Sequence, residues 1–498
     1  MNRYDIVIIG SGMGGLACGT ILSKEGMRVC VVEQNAVPGG CLQSFRRNGR
    51  MLDTGIHYVG SLREGQVMYQ YLKYFGVIDK VRIRLLDPAG FDRIYLDGRM
   101  FRYASGFDRF AETLAEDFPG EKEGIRSYCR ILQRIGGLIA PEVLRNGRLS
   151  AGGMEYLGLS AAATIDSLVT DPLLRRVLAA GSVPLYSGRR DMSPLYHHAM
   201  INHSNIEGAA CFPDGTQHVA DAMCEQIRAH GGELFTHARA TRFRLAGSRV
   251  SGVETNGGER LLEAKWFISD APPAQTFGLL EPTPLLRRAF LNRLTILPNT
   301  YGFFSIHLLL RPGTVPYTGC NHYFYNTSDV WSARGDFEGY NIPVVLLYPQ
   351  PAEDGPYAQV ITLLVPMLWE NVARWTESRS GRRGEDYTAF KQRFADATLR
   401  FTERFMPGLR DAAEEIHTSS PLTYRDYTSI PEGAAYGLQK DFNRPLASLV
   451  PVRSRIGNLL LTGQNINVHG MLGVTVSAAL TCSELVGESY LSKKIGYA

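Results

Sequence analysis

Tyr4-Asp5-Ile6-Val7-Ile8-Ile9-Gly10-Ser11-Gly12-Met13-Gly14-Gly15-Leu16-Ala17-Cys18 is the stretch on which the reading of the fold turns. Residues 4–10 are an apolar run of strand length, residues 14–24 are a helix pattern rich in small side chains, and residues 28–33 form a second strand. Gly10-x-Gly12-x-x-Gly15 falls between strand and helix, where a dinucleotide fingerprint needs it. The first glycine allows a sharp turn, the second lets backbone approach a pyrophosphate, and the third packs helix on strand. Helix amide dipoles then face the phosphates. Glu33 ends the second strand eighteen residues after Gly15, where its carboxylate can accept hydrogen bonds from a ribose diol. A glycine triplet alone is weak evidence, but strand, triplet, helix and acid at this spacing predict an α/β fold opening with a Rossmann-type βαβ unit.

Further along, the pattern changes twice. From about residue 76 to 204 helix-period segments dominate, for example 107–118 and 122–139, and read as an insertion. The Pro213-Asp214-Gly215 turn leads into a helix over 218–230, closed by Gly231-Gly232. A meander over 240–245, 249–255 and 261–269 follows, with turns at Gly247-Ser248 and Asn256-Gly257-Gly258. Residues 273–440 mix apolar strands (301–310, 344–348, 360–366) with a long helix near 386–405. Residues 458–463 form a last strand, and a helix over 474–486 is expected to start after Gly473. The predicted architecture is a discontinuous cofactor domain (1–75, 205–272 and 441–498) with an α+β substrate domain (76–204 and 273–440).

The chain has 498 residues, 44% hydrophobic and 20% charged, with a formal charge of +4. This composition excludes a disordered chain, and no apolar run reaches the roughly 18 residues of a spanning helix. The start of the chain shows no secretory signal, so a cytoplasmic location is expected. Lys and Arg are not gathered into a stripe with interleaved aromatics, so nucleic acid is not expected as a partner. The eight cysteines (Cys18, Cys30, Cys41, Cys129, Cys211, Cys224, Cys320 and Cys482) make no C-x-x-C pair, which favours reduced, buried thiols. His197, His198 and His203 lack a convergent acid, so no metal site is expected.

Beyond Glu33 stand Pro38-Gly39-Gly40 and Asp53-Thr54-Gly55-Ile56-His57-Tyr58. Near the C-terminus stand Leu461-Thr462-Gly463-Gln464-Asn465 and His469-Gly470-Met471-Leu472-Gly473-Val474. These segments resemble the FAD-binding parts of the phytoene desaturase, carotenoid isomerase and retinol saturase family, with bacterial relatives of the retinol saturases the nearest likeness. The fold that the resemblance implies is shared with amine-oxidase-like flavoproteins. Supporting segments are 198–203 (HAMINH), 424–427 (YRDY) and 433–437 (GAAYG), placed on the substrate side of a flavin, although the first serves equally well as core packing. Two departures stand out: Cys41 where many amine-oxidase-like flavoproteins have a basic residue, and Asn465 where relatives often carry an acid.

The resemblance implies FAD held by Gly10, Gly12, Met13, Gly14, Gly15, Glu33, Gly39, Gly40, Gly55, Ile56, His57, Gly463, Gln464, Gly473 and Val474. Ala240, Thr241 and Asp270, at the ends of the meander, join them. A helix beginning at Gly473 would aim its positive end at the flavin edge. His57, Tyr58, Tyr436 and His469 are candidate proton donors or acceptors beside the ring, and each serves as well for shape and hydrogen bonding. Cys41 is read as a buried small residue with a redox thiol as the alternative.

The function implied is an FAD-dependent oxidoreductase acting on carbon-carbon double bonds of an apolar isoprenoid, polyene or related lipid, in the manner of a retinol saturase. A desaturase of carotenoids or phytoene and a redox-neutral polyene cis-trans isomerase are the alternatives. A flavin amine oxidase, or a non-catalytic prenyl-binding protein like the Rab GDP-dissociation inhibitors, is more distant. With no second dinucleotide fingerprint, NAD(P)H is one candidate electron donor among external reductants. Residues 285–294 (LLRRAFLNRL) set Leu286, Phe290 and Leu294 on one face among arginines. That face either covers its own core or makes a peripheral membrane contact on the cytoplasmic side. The oligomeric state is not readable.

Overall fold

The computed structural model describes residues 4–150, 152–332, 340–352 and 355–498, so residues 1–3, 151, 333–339 and 353–354 of the predicted segments lie outside the described residues. The chain opens with β1 (Tyr4–Ile9), α1 (Met13–Lys24) and β2 (Val29–Val32). It then leaves to form β3 (Asp92–Leu96), β4 (Arg99–Tyr103) and helices ending in α2 (Leu195–Gly208). It returns with α3 (Gln217–Ala229), β5 (Glu233–Phe235) and the meander β6 (Ala240–Ala246), β7 (Arg249–Thr255) and β8 (Arg260–Ser269). A second excursion gives α4 (Arg288–Ile296), β9 (Gly302–Leu310), β10 (Asn321–Tyr325), β11 (Val344–Pro351), β12 (Ala358–Met367), α5 (Glu385–Thr402) and β13 (Ala413–Ser419). Last come β14 (Leu459–Leu461) and α6 (Gly470–Val486).

These strands form two seven-stranded sheets. The first runs β6-β7-β8-β1-β2-β5, with β14 also paired to β8. In it β1 lies parallel to β2 and β8, in register Ile8↔Val31 and Ile8↔Ile268. Every β1 residue but Asp5 is buried, as a parallel strand covered on both faces requires. β8 changes partners along its length. Its first half pairs antiparallel with β7, and its second half joins the parallel sheet between β1 and β14. The small residues of α1 let it pack closely on α6, where the Cys18 thiol lies 3.7 Å from the Ala478 carbonyl.

The second sheet runs β13-β9-β12-β11-β10-β3-β4. Residues of the early excursion therefore complete a sheet built mostly from the later one, through the parallel pairing of β3 with β10. One face packs on α5, with Phe304 and Phe394 rings 4.6 Å apart. Strands β9 and β12 are buried almost throughout because both faces are covered.

One expectation is corrected. The last helix begins at Gly470 rather than after Gly473, with His469 as its N-cap. Gly473 lies in its first turn, where a Cβ would stand 2.4 Å from the Val468 carbonyl oxygen, so its glycine serves close packing rather than helix initiation. The apolar face of residues 285–294 is covered by the chain itself: Leu286 and Leu294 are buried, and Phe290 meets Phe277 edge to face at 5.3 Å. Among the described residues no helix is long and apolar enough to cross a membrane, and no cluster of three or more His, Cys, Asp or Glu has the arrangement of a metal site.

Candidate active site

The glycine loop turns at Gly10, whose positive φ of 91° suits glycine. A Cβ on Gly15 would lie 2.0 Å from the Gly10 carbonyl oxygen, so strand and helix approach as closely as backbone permits. The result is a helix N-terminus open to a cavity of about 710 Å³, within the range of small-molecule sites. The cavity begins at Gly10, Gly12, Met13 and Gly14, passes Glu33 and Ala240, and follows Gly40, Cys41, Gly55, Ile56 and His57. Gln464, Asn465, Gly473 and Val474 also line it, with an apolar and aromatic wall of Tyr58, Met200, Phe303, Tyr348, Leu364 and Tyr436.

Glu33 is fixed before any ligand arrives. One carboxylate oxygen accepts from the Ser11 amide at 3.1 Å and the Ser11 hydroxyl at 2.6 Å, and the other accepts from the Asn35 amide at 2.8 Å. Ser11, an unassigned position inside the fingerprint, thus clamps the acid to the loop. Asp270, just after β8, lies beside the Gly12 and Gly15 amides. Burial raises its carboxyl to about 7, and the nearby Glu33 adds to the rise against those two amides.

Four positions expected at the cofactor do not line the cavity. Gly15 and Gly463 lie behind the loop; a Cβ on Gly463 would sit 2.5 Å from an Asp270 oxygen. Gly39 supports the turn by donating its amide to the Ser11 carbonyl at 2.9 Å. Thr241 faces away: its hydroxyl donates to the Glu254 carbonyl and accepts the Gly257 amide. Strand alternation puts Ala240 and Thr241 on opposite faces, so the expectation for Thr241 is corrected.

His57, Tyr58, Tyr436 and His469 all line the cavity, but their hydrogen bonds divide them. The Tyr436 hydroxyl donates to the Pro184 carbonyl at 3.1 Å. The His469 Nε2–H donates to the Leu185 carbonyl at 2.9 Å, and burial depresses the imidazole to about 4. Both therefore have their protons committed to backbone. His57 is likewise neutral, lowered by burial to about 4. It stacks on Tyr348 at 4.9 Å and 13°, and its buried Nε2 has no partner among the described residues. That orphaned nitrogen, in a cavity wall, marks a place for a ligand. Tyr58 joins a buried hydrogen-bond network described below.

Cys41 borders the cavity, and burial, reinforced by Asp270, raises its thiol to about 11. It is a thiol rather than a thiolate at neutral pH. Asn465 uses its side-chain oxygen to accept the Leu438 amide at 2.9 Å, a structural task. In the 198–203 segment, His198 is locked in the core by Tyr128 at 2.8 Å, whereas Met200 and Ile201 reach the cavity.

A glycine loop open to the cavity, an acid fixed beside it and an apolar, aromatic lining fit the class of dinucleotide-dependent oxidoreductases. The NAD(P)-binding Rossmann-like domain family matches residues 8–75. The chain is 28% identical to the all-trans-retinol 13,14-reductase of Rattus norvegicus, over 97% of this chain and 86% of that protein. It is 23% identical to the chloroplastic prolycopene isomerase 1 of an Oncidium hybrid cultivar, over 99% of this chain and 85% of that one. Cyclohexylamine oxidase from Brevibacterium oxydans has the same fold, with a TM-score of 0.62 at 16% identity over 97% of this chain and 99% of that chain. The chain is a homologue of the retinol reductases and prolycopene isomerases, and an oxidoreductase by class.

Proposed function

We propose that the protein binds FAD and reduces a carbon-carbon double bond of an apolar polyene or related isoprenoid lipid. The observation that carries the reading is the continuity of one cavity, from the glycine loop and Glu33 to a wall of Phe303, Tyr348, Leu364 and Tyr436. Gly12, Gly14 and Gly40 would lie against the diphosphate and Glu33 against the ribose, while Gln464, Gly473 and Val474 also border the cavity. When bound, the flavin supplies a hydride equivalent, drawn from NAD(P)H or another two-electron donor. The chain's own residues hold the substrate, exclude water and move the accompanying proton. Full-length similarity to retinol 13,14-reductases supports reduction.

Redox-neutral isomerisation is the second reading, favoured by the similarity to prolycopene isomerase. Incubating the reduced holoenzyme with a polyene and weighing the product separates them: reduction adds two hydrogens, isomerisation changes no mass. Purified protein that is colourless and takes up no FAD would overturn both. Peripheral membrane contact belongs to this reading too. It is assigned to Ile296 and Leu446, which are 77% and 68% exposed. They are brought together where Arg293 donates to the Leu446 carbonyl at 3.3 Å. Apolar tips beside arginines suit an anionic bilayer surface. Co-sedimentation with anionic vesicles that persists unchanged in Ile296→Asp/Leu446→Asp would refute that surface.

A further inference from the structure

Behind the cavity wall lies a buried acid that the cofactor site does not use. Asp92, on β3, is 1% exposed. One carboxylate oxygen accepts from Asn321 Nδ2 at 2.8 Å and the other from the Tyr58 hydroxyl at 3.1 Å. The Tyr58 hydroxyl is in turn 2.9 Å from the Tyr323 hydroxyl and accepts from Asn205 Nδ2 at 3.1 Å. The Tyr323 ring meets the Tyr348 ring edge to face, with centroids 6.4 Å apart. Asp92 and Tyr323 stand away from the cavity, whereas Tyr58 and Tyr348 line it. Strand pairing creates this juxtaposition: β3 lies parallel to β10 in register Asp92↔Asn321, and β10 lies beside β11, which carries Tyr348.

We propose that Asp92, Tyr58 and Tyr323 form a proton relay, with Asp92 the buried store and Tyr58, on the cavity wall, the point of delivery to the substrate carbon. This rests on the reading of the cavity as a double-bond reductase. Hydride addition to one carbon leaves an electron pair on its neighbour, and that pair must take a proton. In the relay Tyr58 breaks its O–H bond as the new C–H bond forms. The phenolate takes the Asp92 proton through the hydrogen bonds, and the Asp92 carboxylate regains a proton from water between turnovers. The two electrons come from the reduced cofactor, so atoms and charge balance.

The environment fits a store that is filled at neutral pH. Burial raises the Asp92 carboxyl to about 7, against the hydrogen bonds of Asn321, Tyr58 and Tyr323. Burial also drives Tyr58 and Tyr323 well above the ordinary phenol value, so both remain neutral donors. Around the acid, Tyr58 faces it from its loop, Tyr103 from β4, Asn321 and Tyr323 from β10 and Tyr348 from β11, with Cys320 just before β10. No cation is among these facing groups, and Arg93 follows Asp92 on the opposite face of β3. Without a cationic partner among the described residues, only these hydrogen bonds favour the carboxylate, and burial outweighs them.

Asp92 acts through the tyrosines, so the test needs readouts that a purely structural role would not move. The first uses cofactor-free protein: infrared titration should show buried carboxylic-acid carbonyl absorption that fades as pH rises through about 7, part of it from Asp270, and the difference between wild type and Asp92→Asn should contain the band of Asp92. The second mixes pre-reduced holoenzyme with a polyene across pH. Wild type should be fastest below pH 7 and slow above it, while Asp92→Asn should be slower by roughly 10²-fold and flat across that range. Tyr58→Phe should likewise slow the reaction, and Tyr323→Phe, which removes an internal link at little cost in volume, serves if Asp92→Asn fails to fold. A folded Asp92→Asn with the wild-type rate and pH profile, or an infrared difference without the Asp92 band, overturns the relay alone. A wild-type holoenzyme that forms no product overturns the functional reading and the relay together.

Discussion

Replacing Asp270 with asparagine tests how the glycine loop stays ready for an anionic ligand. The folded protein holds this carboxyl near 7 rather than 3.8, because it is buried beside Glu33. At 1.36 kcal/mol per pH unit, the difference corresponds to about 4 kcal/mol against folding once the acid is ionised in both states. The side chain opens onto the cavity, whose water screens it, so we expect about half of that, roughly 2 kcal/mol. The sign follows from the order of ionisation. Below pH 3.8 the acid is protonated in folded and unfolded chain alike; between 3.8 and about 7 the unfolded chain alone loses the proton; above 7 the penalty is complete. Urea denaturation of the cofactor-free protein should find Asp270→Asn more stable than wild type by roughly 2 kcal/mol at pH 8, and by about a third of that at pH 5. Binding should follow the same pattern, since an ionised Asp270 repels a diphosphate: wild-type FAD affinity should fall between pH 6 and 8 and the variant's should not. A variant destabilised equally at both pH values would refute this reasoning, because Asp270 would then work as a permanent anion beside the Gly12 and Gly15 amides.

Other expectations concern the same cavity. Gly12→Val would drive side-chain atoms into Asp270, whose Oδ2 lies 2.5 Å from the position of a Cβ, and Glu33→Ala would release Ser11. Both should purify with little flavin, read from the ratio of visible to ultraviolet absorbance. Tyr436→Phe should cost about 1 kcal/mol of stability, from its bond to Pro184, yet change turnover less than threefold, in contrast to Tyr58→Phe; a large loss of turnover would return Tyr436 to the chemistry. Because its thiol is raised to about 11, Cys41 should alkylate at pH 8 roughly 100-fold more slowly than an ordinary cysteine, as followed by mass spectrometry of the peptide; rapid labelling would revive it as a redox group.

The first sheet was largely legible because its signals are local. An apolar run, a glycine loop and an acid within 33 residues state a βαβ unit by themselves, and the strands of the meander carry their own turns. The C-terminal helix starts four residues before its expected position because its cap, His469, is not a side chain that signals a helix start, while Gly473 resembles one. Thr241 was avoidable, since the two-residue period of a strand already excludes it or Ala240. The relay behind the wall was not legible. Asp92 and Tyr323 meet through the pairing of β3 with β10, and a loop brings Tyr58 against both; side-chain pattern within one strand says nothing about which strand or loop lies next to it.

The partner change along β8 has a further consequence for biosynthesis. Its second half is flanked by β1, made at the outset, and by β14, made some 190 residues after β8 itself. At translation speeds of about 5–20 residues per second, that edge stays open for on the order of ten seconds or longer, apolar and without the cover of α6. A nascent chain in this interval resembles an unfinished sheet seeking an edge partner. Its yield in cells should therefore depend on chaperone capacity, and on flavin supply at the moment the last strand docks, more than on the stability of the finished molecule.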